Sequence, residues 1–146
     1  MNSAIPLSPS ETFPLPRTEP IAIHRVLDLF EKGSPELFGE LSEQLDFRID
    51  HYRDETDVAW QMASGLEEMA GVLQRLAQDV FPKGTHILAL ASQALGQGWF
   101  LTRFEQRFFY PVRNCECESI TYILSHEDNG KLDFFRETVT TIEERH

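Results

Sequence analysis

The fold is decided by residues 99–125, which read WFLTRFEQRFFYPVRNCECESITYILS. Aromatic and β-branched residues fill both ends of this stretch, and apolar and polar side chains alternate with a period of two, which is typical of strands with one buried face. The PVRN segment in the middle carries proline and asparagine, residues that favour turns. We therefore predict two long antiparallel strands joined by a short connection.

Similar alternating runs lie on both sides of this stretch. Gly96-Gln97-Gly98 separates the preceding run from it, and Asp128-Asn129-Gly130 precedes the last run. Glycine and Asn-Gly pairs between alternating runs indicate hairpin turns. The C-terminal part of the chain therefore predicts four long antiparallel strands, at His86–Leu95, Trp99–Tyr110, Cys115–Ser125 and Lys131–Ile142.

The N-terminal half instead shows apolar residues at helical spacing. We predict a helix over Ile21–Lys32, with Thr18 as its N-cap and Gly33 as its stop. Ser34 and Pro35 then predict the start of a second helix, because serine caps helices and proline favours the first helical position. The buried stripe expected for this second helix consists of Leu37, Phe38, Leu41 and Leu45.

A strand and a third helix follow. Alternation over Phe47–Asp54 predicts a short strand, and apolar residues every three or four positions over Asp57–Phe81 predict a long helix. Within it, Ser64-Gly65-Leu66-Glu67 reads as a capping box, so the helix is expected to begin afresh at Ser64. Helices gathered first and strands last predict an α+β domain in which one sheet face receives the helices.

Composition and net charge limit the classes of partner that the protein is expected to bind. The chain has 146 residues, the usual length of one domain, and 13 basic against 24 acidic residues give a net charge of −11. Such a field repels a phosphate backbone, so we expect no nucleic-acid partner. Five prolines in Met1–Pro20 predict a flexible tail, whose apolar residues could still pack across a neighbouring subunit, followed by a single domain over 21–146.

Neither a membrane nor a cofactor is indicated. No stretch reaches the roughly 20 apolar residues of a membrane span, and the first residues lack a signal-peptide pattern, so we expect a cytoplasmic location. Cys115 and Cys117 lack the second pair of a zinc site and are expected to be free thiols. No glycine-rich phosphate loop follows a strand, so the prediction is no metal and no cofactor.

The order of elements resembles that of the nuclear transport factor 2-like superfamily, over about residues 20–142. LDFRIDH at 45–51 resembles its first strand, SGLEE at 64–68 the start of its third helix, and DNGKL at 128–132 the turn before its terminal strand. The resemblance implies a curved antiparallel sheet wrapped around three N-terminal helices, a cone-shaped barrel with a pocket, and a frequent homodimeric state. Members include ketosteroid isomerases, polyketide cyclases and dehydratases alongside non-catalytic binding modules, so fold leaves function open.

Strand parity predicts which side chains line such a pocket. Even-numbered positions are the more apolar set in 99–110, and Ile120, Tyr122 and Leu124 are the apolar set in 115–125. Aromatic walls with a few polar groups are typical of small-molecule sites. The predicted ligand-binding residues are Phe47, Ile49, Trp60, Phe100, Phe104, Gln106, Phe108 and Ile120, with Thr102 as a further candidate.

The resemblance also suggests catalytic roles. His51 stands where the ketosteroid isomerase pattern carries its general-base aspartate, and a histidine with a pKa of about 6.5 could abstract a proton near neutral pH. A core histidine hydrogen-bonded to a neighbour is the equally weighted alternative. Tyr122 aligns with the acid of the isomerase's oxyanion hole, where a phenol could donate a similar hydrogen bond. Simple packing is the alternative for Tyr122.

Arg136 is the third catalytic candidate. It could clamp a carboxylate or enolate with two hydrogen bonds, or form a structural ion pair with Asp50 or Glu137. Two differences from the family's catalytic patterns argue against an enzymatic function. The isomerase's tyrosine in the first helix has no counterpart, and Thr140 stands where cyclase-like members carry an acid in an R-x-x-x-D pattern.

Three functions therefore stay open. The first is binding of a small apolar or planar ligand, which needs a concavity of roughly 300 Å³. The second is an isomerase, cyclase or dehydratase that uses His51 as its base. The third is a non-catalytic interaction domain that forms a homodimer through the outer sheet face, where we expect charges of mixed sign and small side chains. The residues expected on that face are Arg103, Glu105, Arg107, Cys117, Ser119 and Thr121.

Overall fold

The structure, a computed structural model, describes residues 12–51 and 61–145, with the side chain of His51 outside the described part. Helices gather first and long strands last, which confirms the α+β class. The elements are β1 (Leu15–Pro16), α1 (Ala22–Lys32), a 3₁₀ helix (Pro35–Glu40), β2 (Leu41–His51), β3 (Gln61–Ser64), α2 (Gly65–Arg75), a π-helical turn (Leu76–Val80), β4 (Thr85–Gly96), β5 (Trp99–Tyr110), β6 (Cys115–Asp128) and β7 (Lys131–Arg145).

The seven strands of the described residues form one curved sheet, in the order β1-β4-β5-β6-β7-β2-β3. Every pair is antiparallel except β2 and β7, which run parallel. The sheet is therefore mixed rather than purely antiparallel, and it stays open between β1 and β3 instead of closing into the predicted barrel. Register shifts in β4 and at Ile120/Thr121 mark bulges, which bend strands and increase their twist.

The four long strands and their hairpins are confirmed. Gly96 pairs directly with Trp99, so the turn consists of Gln97 and Gly98, with φ angles of 57° and 86°. The turn between β6 and β7 is Asn129-Gly130, again with two positive φ angles. Two positive φ angles define the type I′ turn, whose twist matches that of the flanking strands.

Helix α1 matches the prediction except at its start. Gly33, at φ 65°, ends the helix and donates its N–H to the Phe30 carbonyl at 3.0 Å. The predicted N-cap Thr18 is wrong, because the helix begins after Ile21, whose side chain offers no acceptor. The Glu127 carboxylate of β6 accepts the Ala22 N–H at 3.0 Å instead, so a distant strand caps the helix.

The second predicted helix is shorter than expected. Ser34 Oγ accepts the Glu36 N–H at 3.2 Å, as the cap prediction requires, but the helix is a single 3₁₀ segment. Leu41 and Leu45 are buried on β2 and not on a helix. Residues four apart share a face in both a helix and a strand, so their spacing did not distinguish the two.

The third predicted helix is split. Gln61–Ser64 is the strand β3, and α2 begins at Gly65, which confirms the fresh start predicted at Ser64. The predicted capping box with Glu67 is not formed, because the Ser64 side chain makes no cap hydrogen bond and the Ser64 N–H is accepted by the Glu68 carboxylate at 2.9 Å. The predicted helix over 57–60, the strand residues 52–54 and Trp60 lie outside the described residues.

Residues 12–20, predicted as part of the tail, are packed on the domain. Phe13 is only 7% exposed, with its ring centroid 6.2 Å from that of Tyr122. Leu15 pairs with Ser92 on the edge of β4. Arg17 then forms ion pairs with carboxylates of α1, the nearer at 2.6 Å. Phe13, Leu15 and Arg17 therefore contact the sheet and α1, while residues 1–11 lie outside the described part.

The core lies between the concave face of the sheet and the two helices. Ile23, Val26 and Leu27 of α1, and Met69 and Val72 of α2, are buried against it. Among the residues that the structure describes, no helix is long and apolar enough to cross a membrane. The helices cover one sheet face, and the opposite face is here called the outer face.

Candidate functional site

A cavity of about 80 Å³ lies between the helices and the concave sheet face. It is smaller than the roughly 300 Å³ of a typical ligand pocket, so a planar polycyclic ligand does not fit it as it stands. There is room for a small molecule only. The apolar wall includes Val26, Leu27 and Phe30 of α1, Met69 and Leu73 of α2, and Phe47, Ile49, Phe104, Phe108, Phe135 and Val139 of the sheet.

Five of the predicted ligand-binding residues are in this wall. Phe47 and Ile49 enter it from β2, and Phe104, Gln106 and Phe108 from β5. The even-numbered parity of β5 is therefore the inner one, because Phe104 and Phe108 are 3% and 5% exposed. Contact of these five side chains with a ligand stays a prediction.

The parity predicted for β6 is wrong. Phe104 of the inner face pairs with Thr121, and Arg103 of the outer face pairs with Tyr122. Ile120 and Tyr122 consequently lie on the outer face, half-buried, while odd-numbered residues such as Ile123 are fully buried. On β6 the inner positions 117, 119 and 121 carry small side chains, and the outer positions carry bulky apolar ones. This is the reverse of the usual pattern, in which the larger apolar side chains face the core. The expected outward residues Cys117, Ser119 and Thr121 are buried on the inner face.

Two further predicted positions lie elsewhere. Phe100 has inner parity but is half-buried near the β4–β5 turn and is not part of the cavity wall. Thr102 is fully buried and belongs to a hydrogen-bonded cluster under α1, where its hydroxyl lies 2.7 Å from Ser92 Oγ.

Arg136 does not reach the cavity. Its parity on β7 is opposite to that of Phe135 and Val139, which line the wall, so its side chain lies on the outer face. The guanidinium carbon is 4.8 Å from the Phe134 ring centroid, and Nη2 is 3.5 Å from the Asp46 carboxylate. Arg136 therefore pairs with Asp46 and not with the predicted partners Asp50 or Glu137. Asp50 pairs with Arg48 of β2 instead.

The three catalytic candidates do not form one site. Tyr122 and Arg136 lie on the outer face, so the sheet separates both from any molecule in the cavity. His51 ends β2, where it pairs in parallel register with Val139 of the cavity wall. Its side chain lies outside the described part, and its role as a base stays a prediction.

The cavity wall also contains the acidic residue Glu137, which the sequence suggested only as an ion-pair partner of Arg136. Glu137 of β7 lines the cavity and is 7% exposed, between Ile49 of β2 and Ile123 of β6 in register. Burial disfavours its charged form and raises the pKa of its carboxyl group to about 7, although the hydroxyl of Thr121 opposes the shift. Its alternation with Phe135 and Val139 was the sequence signal that could have found it.

Neutral polar side chains also belong to the wall, namely Gln106, Ser119 and the phenol of Tyr110. Gln106 and Ser119 are direct cross-strand partners on β5 and β6. Thr85 Oγ1 donates to Gln106 Oε1 at 2.7 Å, which fixes the orientation of that amide. Within the described residues, Ser119 Oγ is buried without a hydrogen-bond partner. A ligand with a hydrogen-bonding group would supply the missing partner.

A second buried polar cluster links α1 to the sheet. His24 Nδ1 donates to the Glu19 carbonyl at 2.9 Å, and Nε2 lies 2.7 Å from Ser92 Oγ. Burial lowers the pKa of His24, which favours its neutral ring. His24 and Ser92 are 1% and 0% exposed and lie outside the cavity wall, so the cluster is structural and not a nucleophilic site.

Metal-binding groups do not gather in the described ranges. No set of three His, Cys, Asp or Glu side chains there is close enough to hold an ion. The sulfur atoms of Cys115 and Cys117 are 3.9 Å apart, and burial raises the pKa of the Cys117 thiol to about 11. Cys117 is therefore a protonated thiol at neutral pH.

Comparison with known proteins places the fold. No protein-family profile matches the sequence, and no curated protein does. Solved structures do match. A nuclear transport factor 2-like protein from Anabaena variabilis superposes with a TM-score of 0.65 at 11% identity, covering 86% of this chain and 91% of its own.

Two further neighbours carry functional names. A putative polyketide cyclase from a Silicibacter species gives a TM-score of 0.65 at 11% identity, covering 81% of this chain and 85% of its own. An epoxide hydrolase of the LEH-like type from M. tuberculosis gives 0.57 at 16% identity, covering 84% and 83%. At these identities the likeness concerns the fold and not the activity. This chain therefore has the nuclear transport factor 2-like fold.

Proposed function

We propose that the protein binds a small, largely apolar molecule in the cavity between its helices and the concave sheet face. The observation that carries the proposal is the wall itself, which is aliphatic and aromatic apart from a few polar residues such as Gln106, Ser119 and Glu137. Apolar walls with a few placed polar groups are typical of ligand sites. The cavity's 80 Å³ favours a ligand of a few heavy atoms.

Filling the cavity tests this proposal. Leu73 of α2 lines the wall, and Leu73→Trp would occupy the space that a ligand needs. The matched control is Leu95→Trp, because Leu95 is 50% exposed near the β4–β5 turn. We expect small probes such as 1-butanol and cyclopentanol to shift NMR signals of wall residues in the wild type and the control but not in Leu73→Trp. Equal shifts in all three proteins would refute binding in this cavity.

An enzyme is the second candidate, as an isomerase, cyclase or dehydratase with His51 as its base. It is favoured by the position of His51 in register with Val139 of the wall and by the Glu137 carboxyl group inside the cavity. Tyr122 and Arg136 are not part of this proposed catalytic site, because they lie on the outer face of the sheet. Loss of a general base costs about 10²–10⁴ in rate. Once a substrate is found, an His51→Ala variant that keeps activity within about threefold would contradict this role.

A homodimer through the outer face is a proposal of its own. That face is more apolar than predicted, because Ile120, Tyr122 and Leu124 of β6 lie there, half-buried within one chain. Arg103 and Glu105 form an ion pair at 2.8 Å beside them, so the face carries both signs of charge. Light scattering at micromolar concentration should give twice the chain mass, and Leu124→Arg should give a monomer. A monomeric wild type would overturn the proposal.

A further inference from the structure

Glu137 is a buried carboxyl group, and no cation of the described residues forms an ion pair with it. No lysine, arginine or histidine of that part of the chain lines the cavity. The residues in register with it on β2 and β6 are Ile49 and Ile123. A buried carboxylate without a counter-ion is costly, so most are paired or protonated. The cavity beside it is the space in which a counter-ion would fit.

The polar groups of the cavity lie toward two ends. Ser119 and the Glu137 partner Ile123 are four residues apart on β6, or about 13 Å at 3.3–3.4 Å per residue. Ser119 Oγ is buried and unpartnered in the described part of the chain, next to Gln106 on β5. One end therefore offers a carboxyl group, the other end a hydroxyl and an amide, and apolar side chains lie between them.

We propose that the ligand is a small aliphatic amine, bound as its ammonium ion, with the charge on the Glu137 carboxylate and the alkyl chain along the aromatic wall. This inference rests on the cavity being a ligand site. An ammonium ion supplies the missing counter-ion and up to three hydrogen-bond donors. The net charge of −11 favours the approach of cations over anions. A carboxylate ligand would meet like charge at the same place.

The test compares three probes of one shape: n-butylamine, 1-butanol and butyrate. Binding is followed by NMR signals of the wall residues at pH 8, where Glu137 is mainly ionised. We expect n-butylamine to bind at least about tenfold more tightly than 1-butanol, and butyrate to bind least. Glu137→Gln should reduce the affinity for the amine to that for the alcohol and leave the alcohol unchanged. Glu143→Gln is the matched control, because Glu143 is on the same strand but 63% exposed.

The outcomes separate the two proposals. If 1-butanol binds and n-butylamine shows no preference, or if the preference survives Glu137→Gln, the amine assignment is wrong and the cavity remains a ligand site. If no probe binds, the cavity proposal fails as well, and the amine assignment fails with it. Circular dichroism confirms that each variant is folded, and Glu137→Leu, which removes the carboxyl group, gives a second variant with the same expected loss.

A pH series in the wild type needs no variant at Glu137. As pH falls from 8.5 to 5.5 the carboxyl group takes up a proton, and affinity for n-butylamine should fall about tenfold or more while that for 1-butanol stays constant. The residues facing Glu137 from β2 and β6 are Ile49, Thr121 and Ile123, and the helix side of the wall is apolar. Histidine side chains ordinarily titrate in this range, so the series is repeated in His51→Gln. A flat amine profile in that background would overturn the assignment.

Discussion

Glu137 should make the unliganded protein lose stability as pH rises. Burial raises the pKa of its carboxyl group from 4.5 to about 7. Between these values the unfolded chain releases the proton first, so the free energy of unfolding falls as pH increases through this window. One pKa unit corresponds to about 1.4 kcal/mol, so the full loss is about 3 kcal/mol and is complete just above pH 7.

Glu137→Gln removes this titration while keeping the size and polarity of the side chain. Urea unfolding at pH 4.5, 5.5, 6.5 and 7.5 should show the wild type losing about 3 kcal/mol more than Glu137→Gln across the series. Other titrating groups are common to both proteins and cancel in the difference. Glu143→Gln, an exposed change on the same strand, should track the wild type. Parallel curves for the wild type and Glu137→Gln would refute the raised pKa and with it the buried position of the carboxyl group.

Three further predictions concern the scaffold. Ser92→Ala leaves His24 Nε2 buried without its 2.7 Å partner, so chemical denaturation should show a loss of about 1–3 kcal/mol, and a neutral change would contradict the network. Gly98 has a φ angle of 86°, and a Cβ added there would lie 2.5 Å from a carbonyl oxygen of β6. Gly98→Ala should therefore lower the free energy of unfolding by more than about 1 kcal/mol. An unchanged melting temperature would contradict this prediction. His126 Nδ1 lies 2.7 Å from Asp133, and this hydrogen bond raises the pKa of His126. The pair therefore stabilises the folded protein at low pH, and this contribution is lost as pH rises through the pKa of His126 in the folded state. NMR titration should show a lower His126 pKa in Asp133→Asn, and an unchanged value would exclude the contact.

The long strands were predictable because two local signals agreed along them. Alternation and the turn residues at Gln97-Gly98 and Asn129-Gly130 both pointed to hairpins, and the structure has both. The N-terminal elements were less predictable, since Leu41 and Leu45 fit a helix and a strand equally. Parallel pairing of β2 with β7 is a long-range contact that no local pattern of β2 encodes. Glu127 capping α1 from β6 is another such contact.

The cavity wall was predicted in part on β2 and β5, and on β6 it was missed for a physical reason. The parity rule assumes that large apolar side chains point to the core, but the outer face of β6 is itself partly covered. Phe13 packs on Tyr122 there, which gives a bulky outer residue an apolar partner within the same chain. A proline-rich segment gave no sign of this contact.

The reversed pattern of β6 also accounts for the cavity. Its inner positions carry Ser119 and Thr121 where large aliphatic side chains would otherwise fill the space between the sheet and the helices. Ser119 lines the cavity next to Gln106 of β5, and Glu137 of β7 is part of the same wall. Close packing is the default of protein interiors, so a largely apolar cavity that also contains a serine hydroxyl and the Glu137 carboxyl group is a feature that costs stability. Such a cost is typical of a site that a ligand completes, which supports the ligand binding that we propose for the cavity.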